Sequence, residues 1–190
     1  MELSPVVDGD FIPDDPSRLF HNAAHFDFMA GVNSMDGHIF AGVDVPSINQ
    51  KNGNTTAEDV KGLLAGLTKE KGNAAVASAF SAYSSHWGSF PEPAVLKKTV
   101  ADIETDFLFL VPTQIALQLH ADNSSDPSRG DSRVPVAWPP FTKHHRPYLT
   151  INHKINKSSV SYDLRSDLVS YWTQIYSSLS SGTREEEEGK

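Results

Sequence analysis

The sequence predicts an α/β fold that is mostly helical with a small sheet, and three stretches of its 190 residues carry this prediction. Residues 28–32 form an apolar run without helical spacing, which is typical of a buried strand. Asn33 and Ser34 favour a turn after this run, and Asp36 follows the turn. The carboxyl end of a strand is where open α/β sheets collect functional groups. Apolar residues recur at helical spacing in two later stretches: Val60, Leu63, Leu64 and Leu67 in one, and Leu164, Leu168, Trp172, Ile175 and Leu179 in the other.

Composition and charge exclude several classes of protein. The net charge is −8 and no basic stripe accompanies it, which argues against a nucleic-acid partner. The absence of cysteine excludes a disulfide framework, a thiolate nucleophile and a cysteine zinc site. No run of about 20 apolar residues is present, so no membrane span is expected. Residues 1–5 lack the basic region and apolar core of a signal peptide, and residues 181–190 are expected to be a disordered acidic tail.

The N-terminal stretch is predicted to be irregular. Residues 5–13 indicate an extended arm with an Asp8-Gly9 turn, and residues 14–17 can cap a short helix with Pro16 in its first turn. His21 and His25 stand four residues apart on this helix, a spacing that can hold a metal ion from one helical face. No third ligand accompanies them, so neither a metal site nor a cofactor is expected.

Helices dominate the prediction after Asp36. A short helix begins at His38, and Thr55 or Thr56 caps the next one. Residues 73–84 are rich in alanine and predict a further helix. Residues 94–121 predict a long helical region with a kink or restart at Pro112.

The remaining predictions concern two acidic residues in the long helical region and the elements near the C-terminus. Glu104 and Asp106 lie in the long helical region and could pair with basic residues in missing parts of a larger protein. Residues 148–151 predict a short strand. Ser158 or Ser159 is expected to cap the last helix.

Two motifs stand out in the chain: residues 33–40, Asn-Ser-Met-Asp-Gly-His-Ile-Phe, and residues 5–13, Pro-Val-Val-Asp-Gly-Asp-Phe-Ile-Pro. Both motifs resemble the type B carboxylesterases, in particular the lipases of that family, and residues 102–113 resemble them as well. The resemblance implies an incomplete α/β-hydrolase fold, the C-terminal portion of a secreted enzyme that hydrolyses acyl or lipid esters. It also implies that Asp36 is the acid of the catalytic triad, and that Ile39 and Phe40 help to wall the substrate pocket. The sequence leaves two alternatives open: Asp36 as the cap of the short helix that begins at His38, and Ile39 and Phe40 as ordinary core residues.

The resemblance breaks near residues 123–127 and resumes at residue 131. Residues 1–180 are therefore expected to be a partial carboxylesterase domain that lacks one internal block, including the loop with the catalytic histidine. Alternative splicing, a deletion and an imperfect gene model would each produce this junction.

The remaining chemistry is incomplete. The family's triad follows the order Ser, Asp or Glu, His, and its serine lies in Gly-x-Ser-x-Gly, a motif that these 190 residues do not contain. His120 is a candidate for the triad base, but it lies at the end of the long helix, before the position at which the family's catalytic-histidine loop would begin. His144 and His145 lie in an exposed basic turn. We therefore expect the chain alone to be inactive, since triad members act as a unit.

Other readings concern association and modification. The helix over residues 160–180 could pair with a second copy or with a full-length relative, or it could pack on its own domain; a fragment without a selected function is a third interpretation. A strand at residues 28–32 without its neighbours would leave an exposed edge, which predicts poor solubility. Asn54, Asn123 and Asn156 begin Asn-x-Ser/Thr triplets and are candidate glycosylation sites if the chain enters the secretory path.

Overall fold

The computed structural model describes residues 5–124, 135–142 and 144–180. The chain divides into two compact units. Unit one comprises residues 1–31 and 113–165, and unit two comprises residues 32–112 and 166–190. The predicted acidic tail at residues 181–190, and residues 125–127 of the predicted junction, lie outside the described residues.

Unit two is a helical body whose central helices follow from local sequence signals. The helices are α1 (His38–Asp44), α2 (Ala57–Leu67), α3 (Gly72–Ser84) and α4 (Pro93–Thr105). Thr56 caps α2 in a reciprocal arrangement: its hydroxyl accepts from the Asp59 N–H at 3.2 Å, and the Asp59 carboxylate accepts from the Thr56 N–H at 2.7 Å. The predicted apolar stripe of α2 supplies three buried residues, Val60, Leu63 and Leu64. Small Ala75 and Ala79 of α3 are fully buried where it packs against α2.

The predicted irregularity at Pro112 is present, and it lies just before the proline. A π-helical turn (Asp106–Leu110) follows α4, and α5 (Val111–Asn123) begins directly after it. Proline has no N–H, and its ring clashes with the carbonyl four residues earlier, here that of Leu108. A widened turn is one of the ways in which a helix accommodates that clash.

The described part of unit one contains the sheet and few buried residues. Its strands β1 (Pro147–Leu149) and β2 (Val160–Tyr162) pair antiparallel, with Tyr148 opposite Ser161. The predicted turn at Asp8-Gly9 is present, with the Asp8 carboxylate accepting from the N–H groups of Asp10 and Ile12, both at 3.0 Å. Among the described residues of this unit, only Pro147 and Ser159 are buried.

Two predictions for the elements were wrong. Residues 28–32 do not form a strand: Phe28 is 45% and Met29 is 60% exposed. A strand needs a neighbour to accept and donate its backbone hydrogen bonds, and an apolar run without that neighbour remains irregular. Ser158 and Ser159 do not cap the last helix. They belong to a 3₁₀ turn (Lys157–Ser159) that leads into β2.

The last helix begins at Ser166, not near residue 160, and its buried face differs from the predicted stripe. It runs through α6 (Ser166–Ser170), a π-helical turn (Tyr171–Ile175) and α7 (Tyr176–Ser178). Trp172 is buried as predicted, but Ile175 is 52% exposed, and Val169 and Tyr171 are buried instead. A π-helical turn adds a residue to the helical period and so rotates the following side chains out of the stripe.

The end of this helix is held within unit two. The Lys71 ammonium donates to the carbonyl oxygen of Leu179 at 2.7 Å and lies 5.0 Å from the centre of the Tyr176 ring. A cation at a helix C-terminus satisfies carbonyls that have no partner in the helix. Packing of the helix on its own unit is therefore present, and a dimer contact through residues 160–180 stays a prediction.

Within the described ranges the structure is mostly helical, with one two-stranded sheet, as the sequence predicts. None of the helices found there has both the length and the apolar character needed to cross a lipid bilayer.

Candidate functional site

Asp36 lies in a tight loop that ends where α1 begins, and its carboxylate is fixed by one neighbour. The Asn33 N–H donates to Asp36 Oδ2 at 2.7 Å, and the Asn33 side-chain amide donates to Asp36 Oδ1 at 2.7 Å. Both carboxylate oxygens thus accept a short hydrogen bond from a residue three positions earlier. Each oxygen retains a further lone pair, so the half-buried carboxylate can still accept a hydrogen bond from a third group.

The residue after Asp36 anchors the loop to α4. The Gly37 N–H donates to Thr105 Oγ1 at 3.0 Å, and the Thr105 hydroxyl donates to the carbonyl oxygen of Ala101 at 2.7 Å. A Cβ atom at Gly37 would collide with the backbone of Glu104 and Thr105 and would lie 2.6 Å from Glu104 Cβ. Glycine is therefore required here by the close approach of the loop to α4.

The two predicted pocket residues lie on the surface of α1. Ile39 is 72% exposed and Phe40 is 45% exposed, with the Phe40 ring centre 6.0 Å from that of Phe109. An open groove of about 650 Å³ in the same unit is lined by other residues, among them Asp44 and Ser47. A substrate-binding role for Ile39 and Phe40 therefore stays a prediction.

The candidate histidines have other neighbours in unit one. His120 Nε2 lies 3.0 Å from the carbonyl oxygen of Phe26, and its ring centre lies 5.2 Å from that of Phe28. Because a carbonyl oxygen only accepts, this contact places the proton on Nε2. His144 and His145 are exposed, and the His145 N–H donates to Thr142 Oγ1 at 3.0 Å. No cluster of three or more His, Asp or Glu side chains suited to a metal ion occurs among the residues described.

Glu104 and Asp106 are buried inside unit two, and sequence reasoning missed this. Asp106 is fully buried, and its Oδ2 accepts from the Tyr83 hydroxyl at 2.9 Å. Glu104 is 1% exposed, and its Oε1 has no hydrogen-bond partner in the described part of the chain. Burial, followed by the hydrogen bond and negative charge of Asp44, raises the pKa of the Glu104 carboxyl to about 7. The sequence held a signal for this burial, because Glu104 lies four residues after the apolar Val100 and so on the same face of a helix.

We expect Glu104 to make stability depend on pH. Its pKa in the folded chain, about 7, lies above the ordinary value of 4.5, so the folded state binds the proton more tightly than the unfolded state. The stabilisation is complete below pH 4.5 and is lost as the pH rises to about 7, by on the order of 3 kcal/mol. Urea denaturation of the wild type and of Glu104→Gln between pH 4.5 and 8 measures this difference.

The matched control for this experiment is Asp102→Asn, a carboxylate in the same helix. The difference in unfolding free energy between wild type and Glu104→Gln should fall across this range, and it should change by more than the difference between wild type and Asp102→Asn. Parallel curves for wild type and Glu104→Gln would contradict the assignment.

The three candidate glycosylation sites are all exposed. The Asn123 side-chain amide donates to the carbonyl oxygen of Leu119 at 2.8 Å. Asn156 Oδ1 accepts from the N–H and the hydroxyl of Ser158, at 2.9 and 2.6 Å. The third candidate, Asn54, precedes the cap of α2.

Comparison with known proteins identifies similar sequences over most of the chain. The profile of the Carboxylesterase family matches residues 1–127. Bile salt-activated lipase of Homo sapiens is 34% identical over 248 aligned positions, which cover 96% of this chain and 33% of the relative. The Bos taurus bile salt-activated lipase is 33% identical, covering 94% of this chain and 41% of the relative. Neuroligin-3 of Mus musculus is 28% identical over 122 positions, covering 63% of this chain and 15% of the relative. The chain spans only about a third to two fifths of the length of these lipases.

Proposed function

Because the chain belongs to the carboxylesterase family, we propose that it is a portion of a carboxylic ester hydrolase in which Asp36 is the acid of the catalytic triad. The match to the family profile confirms the family resemblance of residues 5–13 and 33–40, and membership of that family implies an α/β-hydrolase fold. The observation that carries the role of Asp36 is its fixed carboxylate in the loop between Asn33 and α1.

Asp36 suits the role chemically. The acid of a triad holds the histidine in one tautomer and stabilises the imidazolium that forms when serine loses its proton. That role requires a carboxylate held in place before the histidine arrives. The two Asn33 donors and the Gly37–Thr105 hydrogen bond supply such an arrangement from this chain's own residues.

We propose further that these 190 residues alone do not hydrolyse esters. They contain no Gly-x-Ser-x-Gly. His120 is a poor candidate for the base, because its Nε2, the atom that receives the serine proton in a triad, already donates to the Phe26 carbonyl. An acid without a histidine and a nucleophile does not contribute a fraction of the activity.

Two features support an internal block that the lipases have and this chain lacks. The family profile ends at residue 127, within the junction predicted at residues 123–127. The alignment with the human lipase runs over 248 positions, more than the 190 residues of this chain. Acyl or lipid esters are the substrates we propose for the complete enzyme, since the matched relatives are named as lipases.

Turnover of p-nitrophenyl butyrate tests the proposal in two settings. The purified chain and its Asp36→Asn variant should both give the rate of buffer alone. In a chimera in which residues 1–124 replace the aligned segment of the human lipase, we expect activity, and Asp36→Asn should lower kcat by roughly 10⁴-fold.

Asp27→Asn is the matched control, since it changes an exposed carboxylate nine residues earlier and should leave the chimera active. Turnover by the isolated chain that Asp36→Asn abolishes would refute the proposed inactivity. Full activity of the Asp36→Asn chimera would refute the role of the acid.

A further inference from the structure

The three Asn-x-Ser/Thr triplets differ in how their polar atoms are used. An N-linked glycan is carried by the Asn side-chain nitrogen, and recognition also requires the hydroxyl two residues later. The side-chain nitrogen must therefore be accessible, the hydroxyl must be near it, and the fold must tolerate the product. These three conditions can be checked separately at each triplet.

Asn156 meets all three conditions. Asn156, Lys157 and Ser158 are exposed on the turn before β2. The Ser158 hydroxyl and N–H both donate to Asn156 Oδ1, at 2.6 and 2.9 Å, so the two defining side chains of the triplet are already in contact. Both bonds are accepted by Oδ1, so neither of them occupies Nδ2. A sugar on Nδ2 keeps Oδ1 and one N–H, so the cap survives modification.

The other two triplets are less suited. The Asn123 side-chain nitrogen, the atom that would carry the sugar, donates to Leu119 at the end of α5. At Asn54, the required hydroxyl belongs to Thr56, which is committed to the cap of α2: it donates to Asp59 Oδ2 at 2.9 Å and accepts from the Asp59 N–H. Releasing that cap costs about 1 kcal/mol.

We infer that Asn156 is the N-glycan acceptor of this chain. The donor is an oligosaccharide activated as a lipid-linked diphosphate. The bond between sugar C1 and the diphosphate oxygen breaks, a bond between C1 and Asn156 Nδ2 forms, one Nδ2 proton passes to a base, and the lipid diphosphate leaves. This inference is independent of the proposed hydrolase function.

Expression of the full chain behind a cleavable signal peptide in human cells tests the inference. Glycosidase treatment should convert one glycoform to the bare chain, and mass spectrometry should locate the glycan at residue 156. Asn156→Asp is the sharpest variant, because aspartate keeps the capping oxygen but has no nitrogen to modify. Asn156→Asp and Ser158→Ala should each abolish the glycoform, and Ser158→Thr should retain it.

Asn54→Gln and Asn123→Gln serve as controls and should leave the glycoform intact. A glycan that persists in Asn156→Asp, and therefore lies at residue 54 or 123, would overturn the inference. So would a wild-type chain that enters the secretory path and emerges without any glycan.

Discussion

Replacing Trp172 by alanine is expected to lower the free energy of unfolding of unit two by about 3–5 kcal/mol. Trp172 is 5% exposed, and its ring centre lies 5.0 Å from that of Phe107, 5.1 Å from that of Tyr176 and 5.2 Å from that of Tyr171. Its indole N–H donates to the Tyr83 hydroxyl at 2.9 Å, which in turn donates to buried Asp106. Alanine would leave a cavity at the contact that docks the last helix, and domains have only about 5–15 kcal/mol of stability to lose.

Urea denaturation followed by far-UV circular dichroism measures the effect without relying on tryptophan fluorescence. Trp172→Phe keeps an aromatic ring and removes the N–H, so it should cost less than the alanine variant. Phe90→Ala is the matched control, since Phe90 is 94% exposed and its truncation should change stability by no more than about 0.5 kcal/mol. If Trp172→Ala lowers the free energy of unfolding no more than Phe90→Ala does, the last helix does not pack on the rest of unit two through Trp172.

Gly37→Ala is the second substitution with a large expected effect: it should lower the free energy of unfolding of unit two by about 1–3 kcal/mol or more. The added methyl group would strike the backbone of Glu104 and Thr105, and a backbone cannot move aside as a flexible side chain does. Relief requires α1 to shift away from α4, which breaks the hydrogen bond from the Gly37 N–H to Thr105. The same variant in the lipase chimera should lower activity, because the displaced loop carries Asp36.

Gly62→Ala provides a control of opposite sign. Gly62 lies inside α2, and apart from its chain neighbours and the backbone of its own helix no described atom lies within 4 Å of an added Cβ, so alanine there should stabilise unit two by about 0.5–1 kcal/mol. Thermal or urea unfolding of the two variants side by side separates steric overlap from helix propensity. A Gly37→Ala chain as stable as wild type would show that the loop does not lie against α4 as described.

Local signals predicted the parts of the fold that depend on a few neighbouring residues. The cap at Thr56, the helix it opens and the turn at Asp8-Gly9 each rest on contacts within four residues. The apolar run at residues 28–32 wrongly predicted a strand, because a strand depends on hydrogen-bonding partners elsewhere in the chain and the run itself does not reveal them. The buried face of the last helix was displaced by a π-helical turn that the 3.6-residue period does not anticipate.

For the candidate site, the sequence likewise revealed the local motif but not the contacts that the motif makes with distant residues. Asp36 and Gly37 were recognised as a unit from the family motif, but the reason for the glycine, contact with α4, emerges only in three dimensions. The Asn33–Asp36 hydrogen bonds were within reach of the sequence, since side chains of Asn and Asp commonly close turns over short spacings. The burial of Glu104 was missed because a charged residue was assumed to face a distant partner.

The loop from Asn33 to Asp36 has a consequence for how an acid at this position is interpreted. Its carboxylate accepts two hydrogen bonds from the asparagine three positions earlier, so the residue has a local folding role that is separate from proton transfer. We expect replacement of Asp36 by alanine to remove both hydrogen bonds from Asn33 and so to loosen the turn, whether or not a serine and a histidine complete a triad. An acid at this position is therefore not by itself a sign that a protein cleaves esters.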